Sequence, residues 1–576
     1  MDTLLPHWHC RPSVAATPLR SGVIFFGVMN LNDFRAAVRS GRCIWALGIL
    51  ALVSSAALAD SGPADSCPKG SETTGFWQRL GQSYKSHLFP DDAPAPAAAP
   101  ASDAGTAGVR KGLPDPPVSN PPWPYSVYNE GGAEIIGYEN MYYNALMDAI
   151  YCGPNGQAWK DSRVTIYGWI EPGANISTST AHFNKYTGTG GNYPAAYSYE
   201  PNTVQLDQAA LYFERTADEV QTTHNDWGFR IALLYGTDYK YTFSNDILSY
   251  QYTEKKRLYG FDPTMYYLDF YYPHIFQGEN LRIGRYISIP DIEAQLAPNN
   301  ITYSHSLLYT YDPYTQNGIV STTMLSKNWK LQLEISSGND ISPFAKGLRQ
   351  PTPAACVIYT TDSGADAFYP CMNGLNDQKF GWNNIQHAVA TWYHKINDHW
   401  HMDTEMYYMW EKQTPDSLNP QGAAILAADF PAPEYTIGAP SGAQCANPAQ
   451  VYCTSHAWSI VNYLNYQHDA HDVWTWRTDY FADSTGQRTG FKGNFLELDL
   501  GYTHWVGDAL ELRPELRLER ELSAPNASIT GYAYDNPCLE PASAGASCTL
   551  PDGGTLANTG GKRNQAMLAA DAIFHF

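Results

Sequence analysis

The sequence predicts an all-β chain: a transmembrane antiparallel β-barrel of about fourteen strands, with a periplasmic N-terminal tail containing one or two short helices. Three observations predict it. Apolar residues recur at every second position over long stretches, and tight turns alternate with long connections. Beyond residue 59, no apolar run is long enough to cross a bilayer as a helix, so a spanning chain must close its backbone hydrogen bonds between strands. Composition agrees: aromatic residues are 14%, with 41 Tyr and 16 Trp, and charged residues are only 16%. That mixture favours strands and turns over helices.

The first element is a targeting segment, residues 1–59. Arg35, Arg39 and Arg42 precede an apolar run from Ile44 to Val53, and Ala57, Leu58 and Ala59 offer small residues to a signal peptidase, with Met29 as an alternative start. Cleavage there removes five arginines and two aspartates, which leaves 31 basic against 55 acidic side chains, a net charge of −24. Such acidity excludes a nucleic-acid partner, which would need a basic surface.

Residues 60–162 read as a tail. Phe76, Trp77, Leu80, Tyr84 and Leu88 recur at helical steps between Ser71 and Pro90, although Gly81 weakens the pattern. The stretch from Pro90 to Pro124 is Pro/Ala-rich and reads as an extended linker. A second short helix is expected over 140–151.

From residue 163 to 576 the period is two. Leu496, Leu498, Leu500 and Tyr502 alternate with Glu497, Asp499 and Thr503; Leu510, Leu512, Leu516 and Leu518 alternate with Glu511, Arg513, Glu515, Arg517 and Glu519. Strands are placed at about 164–177, 203–215, 227–236, 264–275, 280–289, 317–326, 329–337, 384–396, 399–411, 457–468, 472–483, 494–506, 509–521 and 564–576. Aromatic residues near strand ends, Trp329, Trp400, Trp410, Trp474 and Trp505, suit interfacial girdles. The turns 326–329, 396–399, 468–472 and 506–509 are tight, whereas 338–383, 412–456, 484–493 and 522–563 are long. Short periplasmic turns and long outer loops produce this alternation.

Three close cysteine pairs then fall in three outer loops, Cys356 with Cys371, Cys445 with Cys453, and Cys538 with Cys548, a pattern suited to disulfides in an oxidising compartment. Cys67 and Cys152 are free to pair with each other, and spacing alone leaves that open.

If the greasy faces meet lipid, the charged faces line a wet lumen. Glu214, Arg230, Arg282, Lys330, Glu334, Asp403, Glu405, Arg477, Asp479, Glu497, Asp499, Glu511, Arg513, Glu515, Arg517 and Glu519 would lie there. So many ionisable groups are costly in a dry core unless paired. The strand from Glu511 to Glu519 could equally be a salt-bridge ladder that braces the wall. The connection from Pro290 to Asn317 is rich in Tyr and Asn and less hydrophilic than a free loop. It is expected to fold inward as a constriction, with Glu293, Asn299, Asn300, Tyr303, Ser304 and Ser306 near the path.

The strand texts are similar to one family. "YGWIEPGANIS" (167–177), "LDQAALYFER" (206–215), "WGFRIALLYGTD" (227–238), "LRIGRYISIP" (281–290), "YSHSLLYTYDPYTQNG" (303–318) and "ELRPELRLER" (511–520) resemble, in order and spacing, the OmpL-like β-barrel porins of Gram-negative outer membranes. The helix text "GFWQRLGQSYKSHL" (75–88) extends the likeness into the tail. The resemblance implies an outer-membrane location and passive diffusion of small hydrophilic solutes, and the acidic lumen adds a mild cation preference. The alternative is a surface-exposed structural or adhesive barrel without transport. Implied partners are outer-membrane lipid, the barrel assembly machinery and the solutes themselves; oligomeric state is left open.

No motif points to an enzyme, a cofactor or a metal: GxSxG, HExxH, Walker A, EF-hand and CxxC patterns are missing from the sequence. His399 and His401 share a face beside a turn and read as interfacial or pore-lining groups. The chain's last strand carries Phe574 and Phe576 on its lipid side, with Gln565, Asp571 and His575 inward. Phe576 is expected to serve as the assembly signal.

Overall fold

A computed structural model describes residues 67, 71–89, 119–120, 125–126, 144–180, 182, 191–195, 197–255, 257–287, 291–381, 383–429, 442–469, 471–524, 531–536, 547–549, 555–557 and 560–576. Residues 1–59, most of the stretch 90–124 and Cys538 lie outside them, and with them the expected targeting segment, linker and Cys538–Cys548 pairing. Sixteen antiparallel strands form one closed barrel. They are β1 (Val164–Ser177), β2 (Val204–Arg215), β3 (Asp226–Gly236), β4 (Gly260–Tyr272), β5 (Glu279–Ile287), β6 (Thr315–Met324), β7 (Trp329–Ser336), β8 (Thr352–Thr360), β9 (Asp366–Asn373), β10 (Gln386–Lys395), β11 (Trp400–Pro415), β12 (Tyr452–Gln467), β13 (Asp472–Asp483), β14 (Gly493–Val506), β15 (Leu510–Glu521) and β16 (Asn564–His575).

Sixteen strands correct the expected fourteen, and the two missing ones are β8 and β9. Thr352, Ala354, Cys356, Ile358 and Thr360 face inward, while Pro353, Ala355, Val357 and Tyr359 lie on the opposite face. Both faces are nearly uncharged, so the strand carries no period-two signal. Pro353 and Pro370 add loop-like punctuation, though in a closed wall a proline need only forgo one ladder bond. The placement of Cys356 and Cys371 in an outer loop is therefore wrong. The two residues sit directly opposite each other on β8 and β9, inside the barrel, and are joined as a disulfide. Cys445 and Cys453 are also bonded, across the loop that leads into β12, and Cys67 is bonded to Cys152.

Side-chain direction follows parity along each wall strand. On β15, Glu511, Arg513, Glu515, Arg517, Glu519 and Glu521 are buried, while Leu516 and Leu518 are exposed on the outer face. Trp505 corrects the girdle assignment. It stands two residues after inward-facing Thr503, so it too points inward, where it stacks on His575 at 5.2 Å. The seam closes where β16 pairs with β1. Phe576 and Gly168 there exchange two backbone hydrogen bonds of 2.8 Å.

The tail supplies α1 (Phe76–Leu88), α2 (Ala145–Tyr151) and α3 (Gly156–Ser162) at the end of the barrel that holds the short turns. Helix α1 packs on α2 through Arg79, whose Nε donates to the Ala149 carbonyl at 2.9 Å. Its last turn is fastened to the β14–β15 turn. His87 lies 2.6 Å from Asp508 and 2.7 Å from Asp148, and the Asp508 amide donates to the His87 carbonyl. Gly507, at φ +61°, permits this approach, because a Cβ there would meet the His87 carbonyl oxygen at 1.7 Å.

Candidate lumen and constriction

The connection between β5 and β6, whose described part is 291–314, turns into the barrel. Its residues are almost all buried, although they form only a short 3-10 turn (Ala297–Asn299) and one helical turn (Leu307–Thr310). A buried segment with so little regular structure must find other partners for its backbone. The inward-facing charges of the wall provide them.

Carboxylates take the N–H groups. Glu405 on β11 accepts from the Ile292 amide at 2.8 Å, Asp479 on β13 from Leu307 at 2.6 Å and Leu308 at 3.1 Å, and Glu515 on β15 from Ser304 at 3.0 Å. Guanidinium groups take the carbonyls. Arg513 donates to Ala297 and Asn300 at 2.8 and 2.7 Å, Arg517 to His305 at 2.6 Å, and Arg477 to Ser304 at 2.5 Å. Arg477 also reaches the Thr302 and Ser304 hydroxyls at 2.7 Å. These arginines are in turn paired along the wall. Arg477 and Arg517 share Glu497 at 2.5 and 2.6 Å, Arg517 also meets Glu519 at 3.0 Å, and Arg513 meets Asp571. Asp499 lies 3.8 Å from Arg477, and Glu511 4.0 Å from Arg513.

The remaining wall residues divide between pairs and the opposite side of the ring. Arg230 pairs with Glu214 at 2.6 Å and Arg282 with Asp269 at 2.9 Å. Lys330 and Glu334 are buried on the inner face of β7, and Asp403 accepts from Asn465 at 3.1 Å.

Within the loop, Glu293 accepts from the Tyr463 hydroxyl at 2.6 Å and from the Ser306 amide at 3.1 Å. Asn300 bonds back to Ala294 and Leu296, and the Ser306 hydroxyl caps the helical turn by accepting from Tyr309. Tyr303 donates to Asp207 at 2.9 Å. Asn299 is half-buried. Tyr303, Ser304, Ser306 and Asn300 thus hold the loop in place as much as they face any path.

Several participants are not distinguished in the sequence. Asp207, Tyr463 and Tyr407 contact the loop from the wall, and Arg488, from the β13–β14 connection, donates to the Tyr311 carbonyl at 2.9 Å. Their partners lie about a hundred residues or more away along the chain, beyond any local pattern.

Residues 163–576 match the family described as "Putative beta-barrel porin-2, OmpL-like". The chain belongs to this family. It is an outer-membrane β-barrel of the porin type, and the closed antiparallel ring is the architecture such a barrel needs. Its solved neighbours include the outer membrane channel DcaP of Acinetobacter baumannii, at 10% identity and a TM-score of 0.40, with 72% of this porin and 97% of that chain covered. An anion-selective porin from Comamonas acidovorans matches at 9% identity and a TM-score of 0.41, with 72% and 99% covered. OmpT of Vibrio cholerae matches at 9% identity and a TM-score of 0.37, with 72% and 97% covered. A search of curated proteins finds no match.

Proposed function

We propose that this porin is a passive, narrow channel for small hydrophilic solutes with a preference for cations. The observation that carries this reading is the loop 291–314 lodged inside a wall whose inward charges are mostly acidic. Glu171, Asp207, Glu405, Asp479, Glu497, Asp499, Glu511, Glu515 and Glu519 face in, against Arg477, Arg513 and Arg517 on the same arc. An inward loop beside an acidic excess narrows the passage and lowers the energy of a cation relative to an anion.

The test is ion conductance of the folded protein in a planar bilayer with a salt gradient. The expected result is a small unit conductance and a reversal potential on the cation side. Replacing Glu293 by Gln, or Glu497 and Asp499 together by Gln and Asn, should move that potential towards zero. An unchanged potential would mean these groups do not line the path. The close burial of the inward-facing side chains favours a second reading, a structural or adhesive barrel that conducts nothing. A folded barrel silent at every voltage would establish that reading and overturn the channel.

A further inference from the structure

Three carboxylates, Asp291, Asp312 and Glu405, meet inside the barrel, with one oxygen from each within 4.8 Å of the others. They come from three places: Asp291 from the entry of the inward loop, Asp312 from its exit, and Glu405 from wall strand β11. Among the described residues, no Lys, Arg or His forms an ion pair with any of them. Asp312 is 1% exposed, and its carboxylate oxygens accept from no N–H or hydroxyl donor; the group beside them is the Asp291 carboxyl. One oxygen of Glu405 and one of Asp291 are likewise without a partner, while the other Glu405 oxygen accepts from the Ile292 amide. Glu293 and Asp340 add to the negative potential at Asp312.

Such a cluster is costly to bury when ionised, because each charge loses its hydration and repels the others. A bound cation removes both costs. The donors are all hard oxygens from an irregular set of loop and wall positions, which a calcium ion with its flexible shell of six to eight oxygens accommodates better than magnesium with its near-ideal octahedron. We propose that Asp291, Asp312 and Glu405 bind one calcium ion, which ties both limbs of the inward loop to β11. Waters would complete its shell. A proton held between Asp291 and Asp312 would relieve the repulsion without metal, and binding measurements separate the two cases.

The experiment is calorimetric titration of calcium into the full-length chain, folded in detergent and stripped of divalent ions, with Asp312→Asn and Glu405→Gln as comparisons. Asp291→Asn, at a half-buried position, serves if either of those fails to fold. One calcium site is expected in the unaltered protein, weakened at least tenfold in each folded variant. Absence of calcium binding up to millimolar concentration, or equal affinity in protein and variants, would overturn the proposal. Because the readout is binding, it is independent of whether the barrel conducts.

Discussion

Arg477 is the most connected charge between wall and loop, so its removal is the sharpest test of how the loop is held. Arg477→Met keeps most of the stem but deletes the guanidinium, which donates to Glu497, Thr302 Oγ1, the Ser304 carbonyl, Ser304 Oγ and, at 3.3 Å, Tyr463. Breaking a buried pair from one side costs about 3–5 kcal/mol. The lower end applies here, because Glu497 retains Arg517 at 2.6 Å. A loss of about 3 kcal/mol multiplies local opening roughly a hundredfold at 25 °C, since 1.4 kcal/mol is a factor of ten. Hydrogen exchange at the amides of 302–308 should therefore accelerate by about that factor. Amides near 297–300 should change little, because Arg513 still binds the Ala297 and Asn300 carbonyls. Unit conductance should rise as the loop loosens. Unchanged exchange over 302–308 in a folded Arg477→Met barrel would refute the reasoning and reduce Arg477 to a brace within the wall.

Three further outcomes are expected. Burial alone would lower the His87 pKa, but Asp148 and Asp508 outweigh it and raise it to about 9. With the folded value above the ordinary 6.5, this clamp is fully present below pH 6.5 and is lost as pH climbs through 9; it is worth about 3 kcal/mol at most. Limited proteolysis of the tail should therefore speed up between pH 7 and 10, and His87→Gln should abolish that dependence. Replacing both Cys356 and Cys371 by Ala opens a closed loop of about 15 residues and should lower unfolding stability in urea by about 3 kcal/mol, with the barrel still formed. Deleting Phe576 removes two seam hydrogen bonds to Gly168 and should impair membrane assembly before it alters conductance; normal insertion of the shortened chain would count against its role as a signal.

What was legible in the sequence depended on charge contrast between faces. "ELRPELRLER" announces its strand, its register and its inner face, because a misplaced register would put Glu and Arg into lipid. "TPAACVIYT" and "DAFYPCMN" announce nothing, because they hold a single charged residue, Asp366, and so show no charge contrast between faces, and their paired cysteines look like a loop staple. Trp505 shows a different gap. Proximity to a strand end suggested lipid, whereas parity from Thr503 already required the inner face. The inward course of the 291–314 loop could be suspected from its low hydrophilicity, but its anchors could not, since Glu405, Arg477 and Glu515 are linked to it only by closure of the ring.

Those anchors change what the charged lumen is for. A porin wall needs polar side chains wherever water reaches it, yet Arg477, Arg517 and Glu497 are entirely buried. Their groups do not replace bulk water around a solute so much as they replace it around a peptide backbone. Each arginine on this arc meets carbonyls, and the carboxylates at Glu405, Asp479 and Glu515 meet amides, so the wall solvates an irregular loop that cannot solvate itself. Where the carboxylates of wall and loop outnumber the amides offered to them, negative charge is left over, and Glu405 on the wall with Asp291 and Asp312 on the loop marks one such place. The same excess that would favour cations in transit therefore favours a fixed cation at the loop's base. On the proposed reading, selectivity and loop anchoring are two consequences of one charge distribution, and substitutions that neutralise acids should alter both together.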